Sequence, residues 1–156
     1  MKKIIIILIA FFLDRISKIY FINLQSTGTD IDFYIFSFLN FYLVWNTGIG
    51  FGLASMETTI YYHALTAFIL LINLGLIYVL LKSKGISLYF LSILIGGSLG
   101  NLFDRLYYSA VPDFIDFHFK GFHWFIFNVA DIFISIGIIS LILVELFFNK
   151  KIKNEK

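Results

Sequence analysis

The 156-residue chain contains no cysteine. That excludes a disulfide framework, a thiolate nucleophile and any cysteine-held metal site. Charge is scarce as well: 14% of residues are charged, against 60% hydrophobic and 20% aromatic, and the mean hydropathy is +0.90. A soluble domain averages about 45–50% apolar and roughly a quarter charged. The composition therefore points to a membrane protein, of a length that allows one compact domain. A formal net charge of +2 is too small to argue for a nucleic-acid partner. The patterns HExxH and G-x-S-x-G are absent, which removes two familiar hydrolase templates. The three histidines, His63, His118 and His123, do not fall into a metal-ligand pattern and read as interfacial residues, so neither a metal nor a cofactor is expected.

What is present is a set of long apolar runs. Four of them approach the roughly 20 residues that a bilayer requires: 4–22, 64–81, 86–105 and 129–148. Each is expected to be a helix, because backbone polar groups in hydrocarbon need partners within the same segment. The lysines fall into three clusters: Lys2 and Lys3 before the first run, Lys82 and Lys84 between the second and third, and Lys150, Lys151, Lys153 and Lys156 after the fourth. With four spans all three clusters share one side, which the positive-inside rule makes cytoplasmic. Both termini are then inside. Two connections, about 23–60 and about 106–128, lie outside. The N-terminal run does not read as a cleavable signal, because no small-residue cleavage pattern follows it and "DRISK" interrupts it. Within the first outer connection, "DFYIFSFLNFYLVWN" (32–46) is aromatic and β-branched and lacks Pro and Gly. It reads as one or two strands resting at the headgroup level. The expected fold is thus an all-α integral membrane protein of four helices with a small outer sheet.

Polar residues inside such segments are costly and carry the functional information. Asp14 and Lys18 are spaced i, i+4 in the first run, a pair that can neutralise itself against neighbouring helices or take part in chemistry. In "GGSLGNLFDR" (96–105), Gly97, Asn101 and Asp104 share one helical face, and Arg105 lies four residues after Asn101. Small residues let helices approach and Asn can bridge them, so this stretch reads either as packing with an Asp–Arg anchor or as part of a site. "NTGIGFG" (46–52) lacks the strand and helix that a nucleotide loop requires. It reads as a glycine turn bringing Asn46 and backbone close to an extended peptide.

Asp131, in "FIFNVADIFISIG" (125–137), begins the fourth run. One reading is a capping box, with Asn128 as the N-cap and Asp131 at the third helical position. The other is that Asp131 faces a second carboxylate, for which Asp104, Asp113 and Asp116 are available near the same membrane face. Two carboxylates in one site share a proton and titrate as a unit. They can then supply a general base and a general acid together. In that case Asp131, near a helix N-terminus, is expected to be the anion and its partner the proton holder.

The stretches "LDRISK", "NTGIGFGL", "GGSLGNLFDR", "VPDFID" and "FNVAD", in that order across nearly the whole chain, resemble the lipoprotein signal peptidase (signal peptidase II) family. The resemblance implies an aspartic endopeptidase of the bacterial inner membrane, with an outer β-cradle and its active site at the periplasmic face. Its substrates would be diacylglyceryl-modified prolipoproteins, cut just before the lipidated lipobox cysteine. It also implies inhibition by the cyclic peptide globomycin. Carried over by motif, the catalytic pair is Asp113 and Asp131. Asp14, Lys18, Asn46, Gly48, Gly97, Asn101, Asp104, Arg105, Asn128 and Ala130 are the supporting or substrate-binding set. Two positions depart from the family pattern: Gly50, where Ala or Ser is usual, and Pro112, which fixes its own φ and extends Val111. The alternatives from other classes are a small proton-coupled transporter and a non-catalytic scaffold. Against the former, the chain shows no repeated halves.

Overall fold

The structure, a computed structural model, describes residues 1–48, 59–119 and 122–149. The expected turn at Gly50 and Gly52, and the lysines from Lys150 onward, lie outside the described residues. The chain forms α1 (Lys2–Ser26), β1 (Asp32–Phe36), β2 (Leu39–Asn46), α2 (Thr59–Lys82), α3 (Ser87–Tyr108), β3 (Val111–Phe119), β4 (Phe122–Phe127) and α4 (Val129–Val144), which runs into a π-helical turn, Glu145–Asn149.

Three stretches among the described residues are long and apolar enough to cross a membrane: Ile60–Lys82, Ser87–Tyr108 and Val129–Phe147. At 25 residues α1 is longer than any of these, but Asp14, Arg15 and Lys18 break its apolar run. Its burial is the reverse of a soluble amphipathic helix. Asp14, Arg15 and Lys18 are buried, while Ile5, Ile9, Phe12, Ile16 and Ile19 are exposed. α2 likewise exposes Ile60, Phe68, Leu71 and Tyr78, and α4 exposes Ile136, Ile139 and Leu143. Apolar side chains outside and polar ones inside suit a hydrocarbon surround, where the costly groups are those that must find partners.

α3 is the central helix, packed against α1, α2 and α4. Two adjacent glycines make this possible. A Cβ on Gly96 would lie 2.6 Å from the Ala10 Cβ of α1, and one on Gly97 2.6 Å from the Ala130 carbonyl oxygen of α4. Neither approach tolerates a side chain. A cluster of Leu80, Leu91, Leu94 and Ile95 fills the α2–α3 contact. α3 ends at Ser109, whose φ of 57° lies in the left-handed region, and the chain turns there into β3.

The strands form one antiparallel sheet in the order β1-β2-β3-β4. β1 and β2 occupy the aromatic stretch where strands were expected. β3 and β4 correct the reading of 106–128 as a plain loop. "VPDFIDFHF" has no clean period-two alternation, because its polar residues are buried along with its apolar ones. β4 pairs with β3 only from Ile115 onward, so the missing N–H of Pro112 removes no bond between these two strands. Beneath the sheet, Phe21 of α1 stacks on Phe114 with centroids 4.2 Å apart. Ile31 and Leu43 join them in a single cluster.

Candidate active site

The polar interior begins at Lys18. Its side chain is fully buried and its ammonium has three protons to place. They go to Asp14 Oδ2 at 2.9 Å, Asn101 Oδ1 at 2.6 Å and Asp104 Oδ2 at 2.7 Å. Arg15 also donates to Asp104, through the other carboxylate oxygen. Two acids and two bases therefore neutralise each other between α1 and α3. Asp104 spends its charge on Lys18 and Arg15, not on its neighbour Arg105, so the expected Asp–Arg anchor does not form. Arg105 donates instead to the carbonyl of Gly48, and its own carbonyl accepts from Tyr62 Oη at 2.8 Å. That links the end of α3 to the turn after β2 and to α2.

The remaining oxygen of Asp14 reaches α4, accepting from the Ala130 N–H at 2.9 Å. This N–H belongs to the first turn of the helix and has no intrahelical partner. The next, that of Asp131, is bound by Asn128 Oδ1 at 3.2 Å, while Asp131 Oδ2 accepts from the Asn128 N–H at 3.1 Å. The capping box is thus complete, and Asp131 still has an oxygen to offer elsewhere. Asn101 Nδ2 donates to that second oxygen, Oδ1, at 2.8 Å.

Asp113 stands on β3, which strand pairing holds beside β2. It accepts from Asn46 Nδ2 at 2.8 Å and from Asn128 Nδ2 at 2.5 Å. Asn128 therefore touches both acids, and among the described residues no lysine or arginine donates a hydrogen bond to either. Three asparagine amides are oriented by a common rule. Each oxygen is claimed by a donor: Lys18 for Asn101, the Gly48 N–H for Asn46, and the Asp131 N–H for Asn128. Each NH2 is thereby turned onto a carboxylate of the pair. Burial pushes the Asp113 carboxyl up from 3.8 to about 6, and the Asp131 charge adds to this. The Asn46 and Asn128 donors and the Lys18 charge pull the other way.

All twelve residues singled out in the sequence fall in this region. The structure also separates the candidate partners of Asp131. Asp104 is held by Lys18 and Arg15. Asp116 faces His123, 2.8 Å away. Asp113 is the one that Asn128 joins to Asp131. Sequence reasoning missed Arg15 and Gly100. A Cβ on Gly100 would collide with the Asp14 carboxylate, and the run of small residues in "GGSLG" is the signal that could have found it. It also missed that Asp116, His118 and His123 come together. Lastly, an apolar groove of about 310 Å³ runs along α4 and β4, lined by Phe125, Phe127, Ile132, Ile136 and Ile139, with Asp131 also in its wall.

Helices with apolar exteriors around a buried carboxylate pair define a membrane protein with two acids gathered at one end of its bundle. The solved structures agree on the class. A bacterial membrane enzyme superposes with a TM-score of 0.77 at 29% identity, over 99% of this chain and 92% of that one. A second does so with a TM-score of 0.72 at 30% identity. The signal peptidase (SPase) II family model matches residues 6–148, and the chain belongs to that family. Lipoprotein signal peptidases from Pelagibacter ubique and Anaplasma phagocytophilum are 52% and 40% identical to it, over 99% and 92% of this chain and 93% and 90% of theirs. The family is one of peptidases, so the chain is assigned as a hydrolase.

Proposed function

We propose that this chain is the membrane aspartic endopeptidase that removes signal peptides from diacylglyceryl-modified prolipoproteins, cutting before the lipidated cysteine. The observation that carries the reading is Asn128, whose side-chain NH2 donates to the Asp113 carboxylate and whose backbone N–H donates to the Asp131 carboxylate. A carboxyl pushed up to about 6 beside a second carboxylate is poised to act as acid and base together. In the reaction Asp131 takes a proton from water as the oxygen adds to the scissile carbonyl carbon. Asp113 gives its proton to the cysteine nitrogen as the C–N bond breaks. The proton gained by Asp131 then resets the pair. The apolar groove that includes Asp131 in its wall suits the apolar signal segment or an acyl chain arriving from within the bilayer.

Four spans in a single membrane domain support this reading, with α1 as the fourth because its charges are internally paired and its apolar side is exposed. Both termini then lie in the cytoplasm, and the sheet and acid pair lie at the outer face of the inner membrane. Globomycin-type cyclic peptides are expected to compete for the same groove. The transporter alternative has no support in the comparisons, and a passive scaffold gives no reason to turn three amides onto two acids.

The test is cleavage of a diacylated lipobox peptide by the detergent-purified protein. Wild type should cut before the lipidated cysteine. Asp113→Asn and Asp131→Asn should each lose about 10²–10⁴-fold or more, the range of general acid–base catalysis. Normal cleavage by either variant would overturn the assignment of the pair.

A further inference from the structure

Asp116, His118 and His123 lie together on the β3–β4 hairpin, away from the acid pair, and the proposed peptidase chemistry makes no use of them. Strand geometry explains the meeting. Asp116 and His118 are two residues apart on β3 and leave it on the same side. Asp113 is an odd three residues away, which turns it to the other side. His118 pairs directly with His123 across the hairpin. The rings lie 5.2 Å apart. Asp116 Oδ2 is 2.8 Å from His123 Nδ1 and 3.6 Å from His118 Nδ1. One ligand atom from each of the three residues falls within a 4.8 Å span.

Hydrogen bonding within the cluster does not satisfy it. Asp116 is 2% exposed, and among the described residues its Oδ1 is buried without a partner, as is His118 Nδ1. Asn40, the strand partner of Asp116 on β2, also buries its Oδ1 unpaired. Of the six buried side-chain polar atoms left unpartnered among the described residues, three are in this one place. Unmade polar partners are expensive, and a concentration of them marks a site for something absent from the chain itself.

We infer that the β3–β4 hairpin is a binding site for a divalent transition metal of the zinc type, held by Asp116, His118 and His123. Two imidazoles and a carboxylate are a preferred donor set for such an ion. Bonds of about 2.1 Å in a tetrahedron place ligand atoms roughly 3.4 Å apart, inside the 4.8 Å span of the three ligand atoms. Asn40 Oδ1 or water completes the shell. The His123 side chain is 58% exposed and provides the way in. The ion would clamp β4 to β3, the strand that carries Asp113, so its effect on the enzyme is to stiffen that strand. This inference departs from the expectation that the chain holds no metal.

The test uses the full-length protein in detergent, with any affinity tag removed, titrated with Co2+ and followed by visible absorption, and with Zn2+ by calorimetry. Wild type should bind one equivalent with a ligand-field spectrum of low coordination number. His118→Gln and His123→Gln should each weaken binding at least tenfold, and the double variant should abolish it. A wild-type melting temperature that rises with Zn2+, and a double-variant one that does not, is the second expected result. A wild type that binds no stoichiometric Co2+ or Zn2+ at neutral pH would overturn the inference without reference to any variant. So would a double variant that folds and binds as wild type does.

Discussion

Two buried polar clusters sit side by side in this protein, and they are built on opposite principles. Around Lys18, two acids face two bases, and every ammonium proton and both oxygens of Asp104 are placed on partners. Around Asn128, two acids receive hydrogen bonds, among the described residues, only from amide and backbone N–H groups. A buried charge that is paired and satisfied is at rest. Two buried acids with dipoles aimed at them and, among the described residues, no counter-charge in contact would share a proton under the proposed mechanism. The first cluster therefore locks helices, and the second is where reaction chemistry is proposed. Asn101 is the hinge between them, fixed by Lys18 on one side and donating to Asp131 on the other.

The largest contrast comes from breaking each cluster in turn. Asp113→Asn and Asp131→Asn should remove cleavage while leaving a folded protein. Lys18→Met should do the reverse first, by stranding Asp14 and Asp104. Removing one partner of a buried ion pair costs about 3–5 kcal/mol, which a fall in denaturation midpoint in detergent would measure. A Lys18→Met protein as stable as wild type would show that the balance around Lys18 is not structural.

pH sharpens the same contrast. The folded value for Asp113, about 6, lies above its ordinary 3.8. The folded state therefore holds this proton more tightly than the unfolded chain, and that stability is lost as pH rises from about 4 through about 6. Cleavage kcat/KM should fall over the upper part of the same interval as the general acid is titrated. Melting temperature followed across the interval should decline in wild type, and the decline should flatten in Asp113→Asn. An Asp113→Asn curve as steep as wild type would assign the titration to another group.

The smallest effect tests the strand that carries Asp113. Ser109 turns the chain into β3 with φ at 57°, a conformation costing an L-residue about 1–2 kcal/mol. Ser109→Gly should raise stability by roughly 0.5–1 kcal/mol after the entropy of glycine is set against it. Chemical denaturation would measure it, with cleavage unchanged.

Much of this was legible in the residues. The apolar runs carry the helices because hydrocarbon leaves backbone groups no other partner. Asn128 and Asp131 spelled out a capping box, and that box is present. The aromatic run at 32–46 contains two strands. β3 and β4 were not legible, because a strand that buries its acids, Asp113 and Asp116, among apolar residues shows no alternation of polar and apolar residues. The destination of Asp104 was not legible either, since its partners Lys18 and Arg15 are more than eighty positions away.

By itself the sequence determined the class of environment, the family and the identities of the acids, because these follow from local composition and from motifs a few residues long. Only the tertiary structure decided which carboxylates are neutralised, which two Asn128 brings together, and which histidines meet across a hairpin. Those outcomes depend on distances between α1, α3, α4 and the sheet. Such distances are set by close approach at glycines and by strand register, and neither is written at any single position in the chain.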